Sequence, residues 1–249
     1  MTGLDVLQGG PGNSPLLVLL HGMGGNSGVW SGLLPLLPGR RWAAVDLPGH
    51  GRSPAPASYG YADCAEAVGA TLPPDTELVV LGHSFGGAVG LALAAVRPVS
   101  AVITVGMRAV WPPEFTDSLS ALAAKPTRSF DNRDDAATFV LRINGLTDFL
   151  GPDSDFVERG IHPVDGRWKL TQDPGSFAVG VPPFDTLFGA AVATGTSVTV
   201  AHGEADVMVG VGDYDGFAAR HGVSVAVLPG LGHNAHVESP TTVAGLLPA

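Results

Sequence analysis

The pentapeptide Gly82-His83-Ser84-Phe85-Gly86 follows the run Glu77–Leu81 and opens the small-residue segment Gly86-Gly87-Ala88-Val89-Gly90. That order reads as strand, sharp turn, helix. A serine held between glycines in such a turn is presented to a pocket, and the glycines let neighbouring backbone approach without Cβ clashes. The bland alternative is a serine that only caps a helix. A serine hydroxyl is a poor nucleophile at neutral pH, so it needs a base within hydrogen-bond reach and usually a carboxylate to hold that base. Both partners are found downstream. Val198–His202 is an apolar run leading into Gly203-Glu204-Ala205-Asp206, and Val223–Leu228 leads into Pro229-Gly230-Leu231-Gly232-His233. Asp206 and His233 therefore stand just past the carboxyl ends of two strands, where open α/β sheets hold their ligands.

Each partner has competitors. Glu204 and Asp213 compete with Asp206, and His236 competes with His233, although His236 reads as the start of the last helix. An acid after the preceding strand is a further option in principle, but Thr104-Val105-Gly106-Met107-Arg108 offers no carboxylate. His21, His50 and His83 lie beside glycines in turns and read as hydrogen-bonded structural imidazoles. No His-Glu-x-x-His helix or cysteine cluster indicates a metal, and no phosphate loop has the required glycine spacing, so neither a metal nor a cofactor is expected.

The elements that must position these groups follow from the hydrophobic pattern. Short apolar runs near 4–8, 15–20, 42–47, 77–83, 99–105, 197–202 and 223–228 alternate with helical segments at 28–37, 60–72, 84–96, 212–221 and 236–247. That rhythm implies a mostly parallel, twisted sheet with helices on both faces. Runs such as Leu16–Leu20 and Leu78–Leu81 are wholly apolar, as suits strands covered on both sides. Pro98 and Gly222 stop the third and fourth helices.

The stretch 107–189 breaks the alternation. It holds eight of the ten phenylalanines, with Trp111 and Trp168. It reads as a helical cap inserted into a single domain whose core is 1–106 and 190–249. Trp111, Phe139, Phe149 and Trp168 are candidates to line an apolar substrate pocket beneath it, while a cap packing its own small core is the alternative. Arg108, Arg128, Arg133, Arg142, Arg159 and Arg167 could each bind a substrate carboxylate, and none is singled out.

With serine, acid and histidine in this order, the sequence resembles the α/β-hydrolase fold superfamily, in its capped, esterase-like branch with a serine nucleophile. Two further segments carry the likeness: His21-Gly22-Met23-Gly24-Gly25 with Trp30 after the first parallel strand, and Asp46-Leu47-Pro48-Gly49-His50-Gly51-Arg52-Ser53 after the next. The resemblance covers nearly the whole chain outside the cap. It implies Ser84 as nucleophile, His233 as base, Asp206 as acid, and the backbone N–H groups of Met23 and Phe85 as the oxyanion hole. It departs from the family in a short amino-terminal strand region and an early end to the last helix. The activity implied is hydrolysis of an ester, thioester or lactone of a small apolar molecule. A carbon–carbon bond hydrolase, lyase-type synthase or acyltransferase on the same fold is the alternative, and a ligand receptor that keeps the triad is a third class. Serine at the turn disfavours haloalkane and epoxide chemistry, which the family performs with aspartate there.

Composition bounds the rest. The chain has 249 residues, 45% hydrophobic and 14% charged, with 35 glycines and 21 prolines marking many tight turns. Thirteen Lys and Arg against 23 Asp and Glu give a net charge of −10. That field repels phosphate backbones and anionic lipid, so neither nucleic acid nor membrane is an expected partner. Cys64 is the only cysteine, which rules out an internal disulfide and reads as a buried, inert thiol. The start Met1-Thr2-Gly3-Leu4-Asp5 lacks the basic and apolar regions of a signal peptide, so a cytoplasmic monomer or homodimer is expected.

Overall fold

The computed structural model describes residues 3–12 and 15–248. Met1 and Thr2, part of the amino-terminal stretch read above, lie outside it. In chain order the core begins with β1 (Val6–Gly9), β2 (Leu16–Leu20), β3 (Trp42–Val45), α1 (Tyr61–Thr71), β4 (Leu78–His83), α2 (Phe85–Leu93) and β5 (Val99–Val105). The 107–189 stretch supplies α3 (Pro113–Ala123), β6 (Ser129–Phe130), α4 (Arg133–Ile143), α5 (Asp155–Gly160), β7 (Ile161–Val164) and β8 (Arg167–Leu170). The chain closes with α6 (Phe184–Ala193), β9 (Ser197–Gly203), α7 (Asp215–His221), β10 (Ser224–Leu228), α8 (Ala235–Glu238) and α9 (Pro240–Ala244).

The main sheet has the order β1-β3-β2-β4-β5-β9-β10. Only β1 runs antiparallel, against β3; the other pairings are parallel. The central strands alternate between two cores, as the twofold period of a strand requires. Leu16, Val18 and Leu20 of β2 join Leu78 and Val80 of β4 under α1 and α2, while Leu17, Leu19, Val79 and Leu81 face the other layer with Trp30, Phe156 and Val243. Cys64 is buried in the first core, and burial followed by the charge of Asp63 pushes its thiol up to about 12 although the Gly60 backbone opposes this. The strand order reverses around β2, which opens a crevice at the carboxyl ends of β2 and β4.

Two expected helices differ. The 28–37 segment forms two 3₁₀ turns, Ser27–Trp30 and Leu34–Leu36. Gly28 and Gly32 weaken a helix and Pro35 cannot donate to one; Gly28 also lies where a Cβ would be 2.6 Å from the Asp155 backbone, so the segment is shaped by its neighbour. The 236–247 segment is divided into α8 and α9 at Ser239, whose φ of −146° is extended. A residue preceding proline is driven from the helical region, and Pro240 follows.

The insertion, expected to be helical, carries in addition a three-stranded antiparallel sheet, β6-β8-β7. Its strands are only two to four residues long, too short for a period-two signal. The expected boundary at 189/190 falls inside α6, which packs against α2 of the core. Among the described residues no helix is long and apolar enough to cross a membrane.

Candidate active site

Ser84 sits between β4 and α2 with φ 47° and ψ −112°. A non-glycine residue in that region costs about 1–3 kcal/mol and persists only where its surroundings impose it. Here they do. Ser84 N–H donates to the Val105 carbonyl at 2.8 Å. A Cβ on Gly82 would overlap the Gly86 carbonyl, and one on Gly86 would overlap that of Leu20. Because α2 opens at Phe85, the N–H of Phe85 belongs to the first turn of a helix, where donors have no intrahelical acceptor.

His233 stands on the loop after β10, and Asp206 on the loop after β9. The imidazole Nδ1 lies 3.0 and 3.2 Å from the two carboxylate oxygens of Asp206. The Asp206 side chain is fully buried and also accepts from Met208 N–H at 2.7 Å. Its competitors are occupied elsewhere: Glu204 accepts from Gly230 N–H and Asp213 from Gly210 N–H. Nδ1–H directed to Asp206 leaves Nε2 as the acceptor.

Two residues that sequence reasoning did not single out, Glu238 and Asn234, hold the His233 loop together with His83. Glu238 accepts from Gly232 N–H at 2.6 Å and from Asn234 N–H at 3.1 Å, bracketing the histidine. Asn234 Nδ2 donates to the carbonyls of Asn144 and Gly145, tying the loop to the insertion. His83 Nε2 donates to the His233 carbonyl at 3.1 Å. The only signal for Glu238 was a carboxylate soon after a Gly-His turn; for Asn234 there was none, while His83 was expected as a hydrogen-bonded structural imidazole. Gly106, with φ 62°, lies where a Cβ would be 2.8 Å from the His233 carbonyl, so the loop rests on bare backbone.

Burial disfavours the charged form of the neighbouring imidazoles. His21 Nδ1 donates to Gly22 O at 2.8 Å while Nε2 accepts from Leu47 N–H at 2.9 Å, and burial lowers its pKa. Burial, then the other imidazoles, holds His83 well below its ordinary value. His236 is packed between Trp30 and His83, with ring centroids 4.9 and 4.1 Å away, and burial pushes it down to about 3. It does not contact Asp206 as His233 does.

A cavity of about 560 Å³ lies over the strand ends, lined by Met23, Ser84, Phe85 and His233 from the core loops. From the 107–189 stretch, Trp111, Phe115, Leu119 and Phe177 also line it. Of the four aromatic residues expected at the pocket, only Trp111 is there. Phe139 packs on Phe130 at 5.2 Å beneath the Arg128 guanidinium, and Trp168 lies in β8 beside them, so both serve the core of the insertion. Phe149 is 47% exposed on the outside. Aromatic content marked the segment but not the side each ring would take. Phe115 and Leu119 were legible only as an i, i+4 pair on one helix face. Among the described residues no three His, Cys, Asp or Glu side chains converge as ligands for a metal.

Comparison with known proteins accords with this architecture. The chain is 41% identical over 97 residues to the lipase LipV of Mycobacterium tuberculosis, covering 38% of this chain and 37% of that protein. It is 47% identical over 90 residues to a pimeloyl-[acyl-carrier protein] methyl ester esterase of Aeromonas hydrophila, covering 35% of each. The matched stretches thus span little more than a third of these curated relatives. Among solved structures, a thioesterase domain from the curacin biosynthetic pathway superposes with a TM-score of 0.78 at 21% identity, covering 98% of this chain and 94% of that one. An E-2-(acetamidomethylene)succinate hydrolase superposes with a TM-score of 0.76 at 25% identity, covering 97% and 92%. The family model described as the alpha/beta hydrolase family matches residues 17–246, and the chain belongs to that family.

Proposed function

We propose that this protein is a serine hydrolase that cleaves a carboxylic ester or thioester of a small, largely apolar molecule, with Ser84 as nucleophile, His233 as base and Asp206 as the orienting acid. The observation that carries the reading is the strained Ser84 backbone at the wall of a cavity shared with His233, whose far nitrogen faces a buried carboxylate. Strain of this kind is kept where a side chain must be aimed. The names of the relatives, a lipase, a methyl ester esterase and a thioesterase domain, favour ester chemistry over carbon–carbon cleavage.

In the first half-reaction His233 Nε2 takes the Ser84 proton as Oγ attacks the carbonyl carbon. The carbonyl electron pair moves to oxygen, and the backbone N–H groups of Met23 and Phe85 receive that oxyanion. One such donor is worth about 3 kcal/mol of transition-state stabilisation. The imidazolium, stabilised by Asp206, returns its proton to the leaving alcohol or thiol. Water then attacks the acyl-enzyme with His233 again as base, releasing the acid and restoring Ser84. The insertion closes the far side of the cavity and, in this reading, selects the acyl or alcohol group.

Exposure to a fluorophosphonate followed by mass spectrometry should label Ser84, and Ser84→Ala should remain unlabelled. A panel of p-nitrophenyl esters should give saturable hydrolysis that disappears in Ser84→Ala and His233→Ala. Absence of labelling would overturn the nucleophile assignment. Labelling without turnover of any ester or thioester would favour carbon–carbon cleavage, synthase chemistry or ligand reception instead.

A further inference from the structure

The cavity has a charge character opposite to that of the molecule. The chain carries 23 Asp and Glu against 13 Lys and Arg, yet among the described residues the only Lys, Arg, Asp or Glu side chains lining the cavity are Arg108 and Arg142. Neither guanidinium is in an ion pair among the described residues, whereas Arg133, Arg159, Arg167 and Arg220 all are. Arg128 of the insertion is also outside these ion pairs but rests on Phe130 and Phe139 and does not line the cavity, so among the described residues Arg108 and Arg142 alone of the insertion's arginines are both unpaired and at the cavity wall.

Arg108 is the better placed. It is half-buried, and its guanidinium rests on the rings of Phe115 and Trp111 at 5.1 and 5.8 Å. Stacking of this kind fixes the plane of a guanidinium while leaving its N–H edge for an acceptor. Arg108 also follows Gly106 by two residues, at most about 7 Å of chain, and a Cβ on Gly106 would be 3.2 Å from His233 Nδ1. The backbone of Arg108 thus leaves the same end of the cavity as the base, and its side chain lines that cavity. Arg142, at the end of α4, is exposed and leans on Phe139 at 5.3 Å.

We infer that the substrate carries a carboxylate, joined by a short apolar chain to the reacting ester, and that Arg108 binds it. This rests on the hydrolase reading above and narrows its substrate to esters that are themselves anions. The general field of a −10 chain disfavours such a substrate, and a cation without a partner inside the cavity reverses that locally. Arg142 at the mouth adds attraction in a solvated position, where a charge contributes less.

The test uses matched pairs, mono-p-nitrophenyl adipate against p-nitrophenyl hexanoate for turnover, and monomethyl adipate against methyl hexanoate for binding to Ser84→Ala by calorimetry. In the intact enzyme kcat/KM should favour the anionic ester by roughly ten- to a hundredfold, the scale of a charged hydrogen-bonded pair, mainly through KM. Arg108→Met should collapse that ratio towards one, the neutral ester on the same protein accounting for any general loss. Arg108→Lys should keep part of the preference, and added salt should reduce it. The binding ratio in Ser84→Ala should fall in the same way when Arg108→Met is added. A ratio of one or less in the intact enzyme overturns the inference while leaving ester hydrolysis standing. A preference lost only in Arg142→Met overturns the assignment to Arg108. If no ester is turned over but the binding ratio behaves as stated, the hydrolase reading fails and the carboxylate site stands; if the binding ratio is flat, the carboxylate site fails.

Discussion

Asp206 meets His233 through both carboxylate oxygens, so asparagine there would keep the shape, remove the charge and turn an amide towards the ring, favouring the wrong tautomer. Asp206→Asn should lower kcat on a p-nitrophenyl ester by about 10³–10⁴-fold, less than Ser84→Ala; undiminished turnover would place the acid elsewhere. The buried imidazoles predict a stability profile. Burial first, then the charge of His21 or His233, holds His50 and His236 down at about 3, against 6.5 for a free histidine. Both are neutral in the folded and unfolded states above pH 6.5. As pH falls from 6.5 towards 3 only the unfolded chain takes up the protons, so stability is lost across that window, by about 1 kcal/mol per pH unit for each group. Urea unfolding at pH 7, 6, 5 and 4 should show the decline, and His236→Leu should make it shallower; parallel profiles would refute the assignment. Ser84, Asp206 and His233 could be read from sequence because each ends a strand in a loop rich in glycine. Phe139, Phe149 and Trp168 could not be placed, because no local pattern says which side of an irregular segment faces a cavity.

At the scale of elements, the central strands were legible because a strand covered on both faces is apolar throughout, as Leu16–Leu20 is. The 28–37 segment was not, because its shape is set by the close approach of Gly28 to the Asp155–Phe156 backbone, more than a hundred residues away. The turn from β4 into α2 is equally a matter of approach between backbones. Gly82→Ala would drive a methyl group into the Gly86 carbonyl, and neither partner can rotate away. We expect a loss of at least about 3 kcal/mol, the upper end for overpacking, read as a lower urea midpoint. An unchanged midpoint would mean that the turn relaxes at no cost.

For the molecule as a whole, the insertion is fastened to the core at several points, some of them at the cavity wall. Arg159 of the insertion is buried against Asp46 at 2.7 Å and also pairs with Asp5. Asn26 donates to the Phe156 carbonyl, Tyr59 to Asp173 and Tyr61 to the Gly180 carbonyl. Burial alone would raise the Asp46 carboxyl, but His21 and the backbone N–H groups of Ser27 and Arg52 hold it below its ordinary value. Arg159→Met would leave that buried carboxylate its backbone donors but no ion-pair partner and should cost about 3 kcal/mol at pH 7. Stability from a depressed carboxylate is present above its ordinary value of 3.8 and lost as pH falls through the lower folded value. The deficit of Arg159→Met relative to the intact protein should therefore narrow in that acid range, as denaturation midpoints would show; a deficit independent of pH would mean that packing, not charge, is what Arg159 supplies. The φ of 47° at Ser84 bears on how such a protein can be improved. Only glycine tolerates that backbone freely, so Ser84→Gly should resist urea better than Ser84→Ala by about 1 kcal/mol after its own entropic cost. If Ser84 is the nucleophile proposed above, a population selected for heat resistance alone is free to relieve this strain at the expense of turnover, and a thermostabilising screen on this chain has to score turnover at the same time.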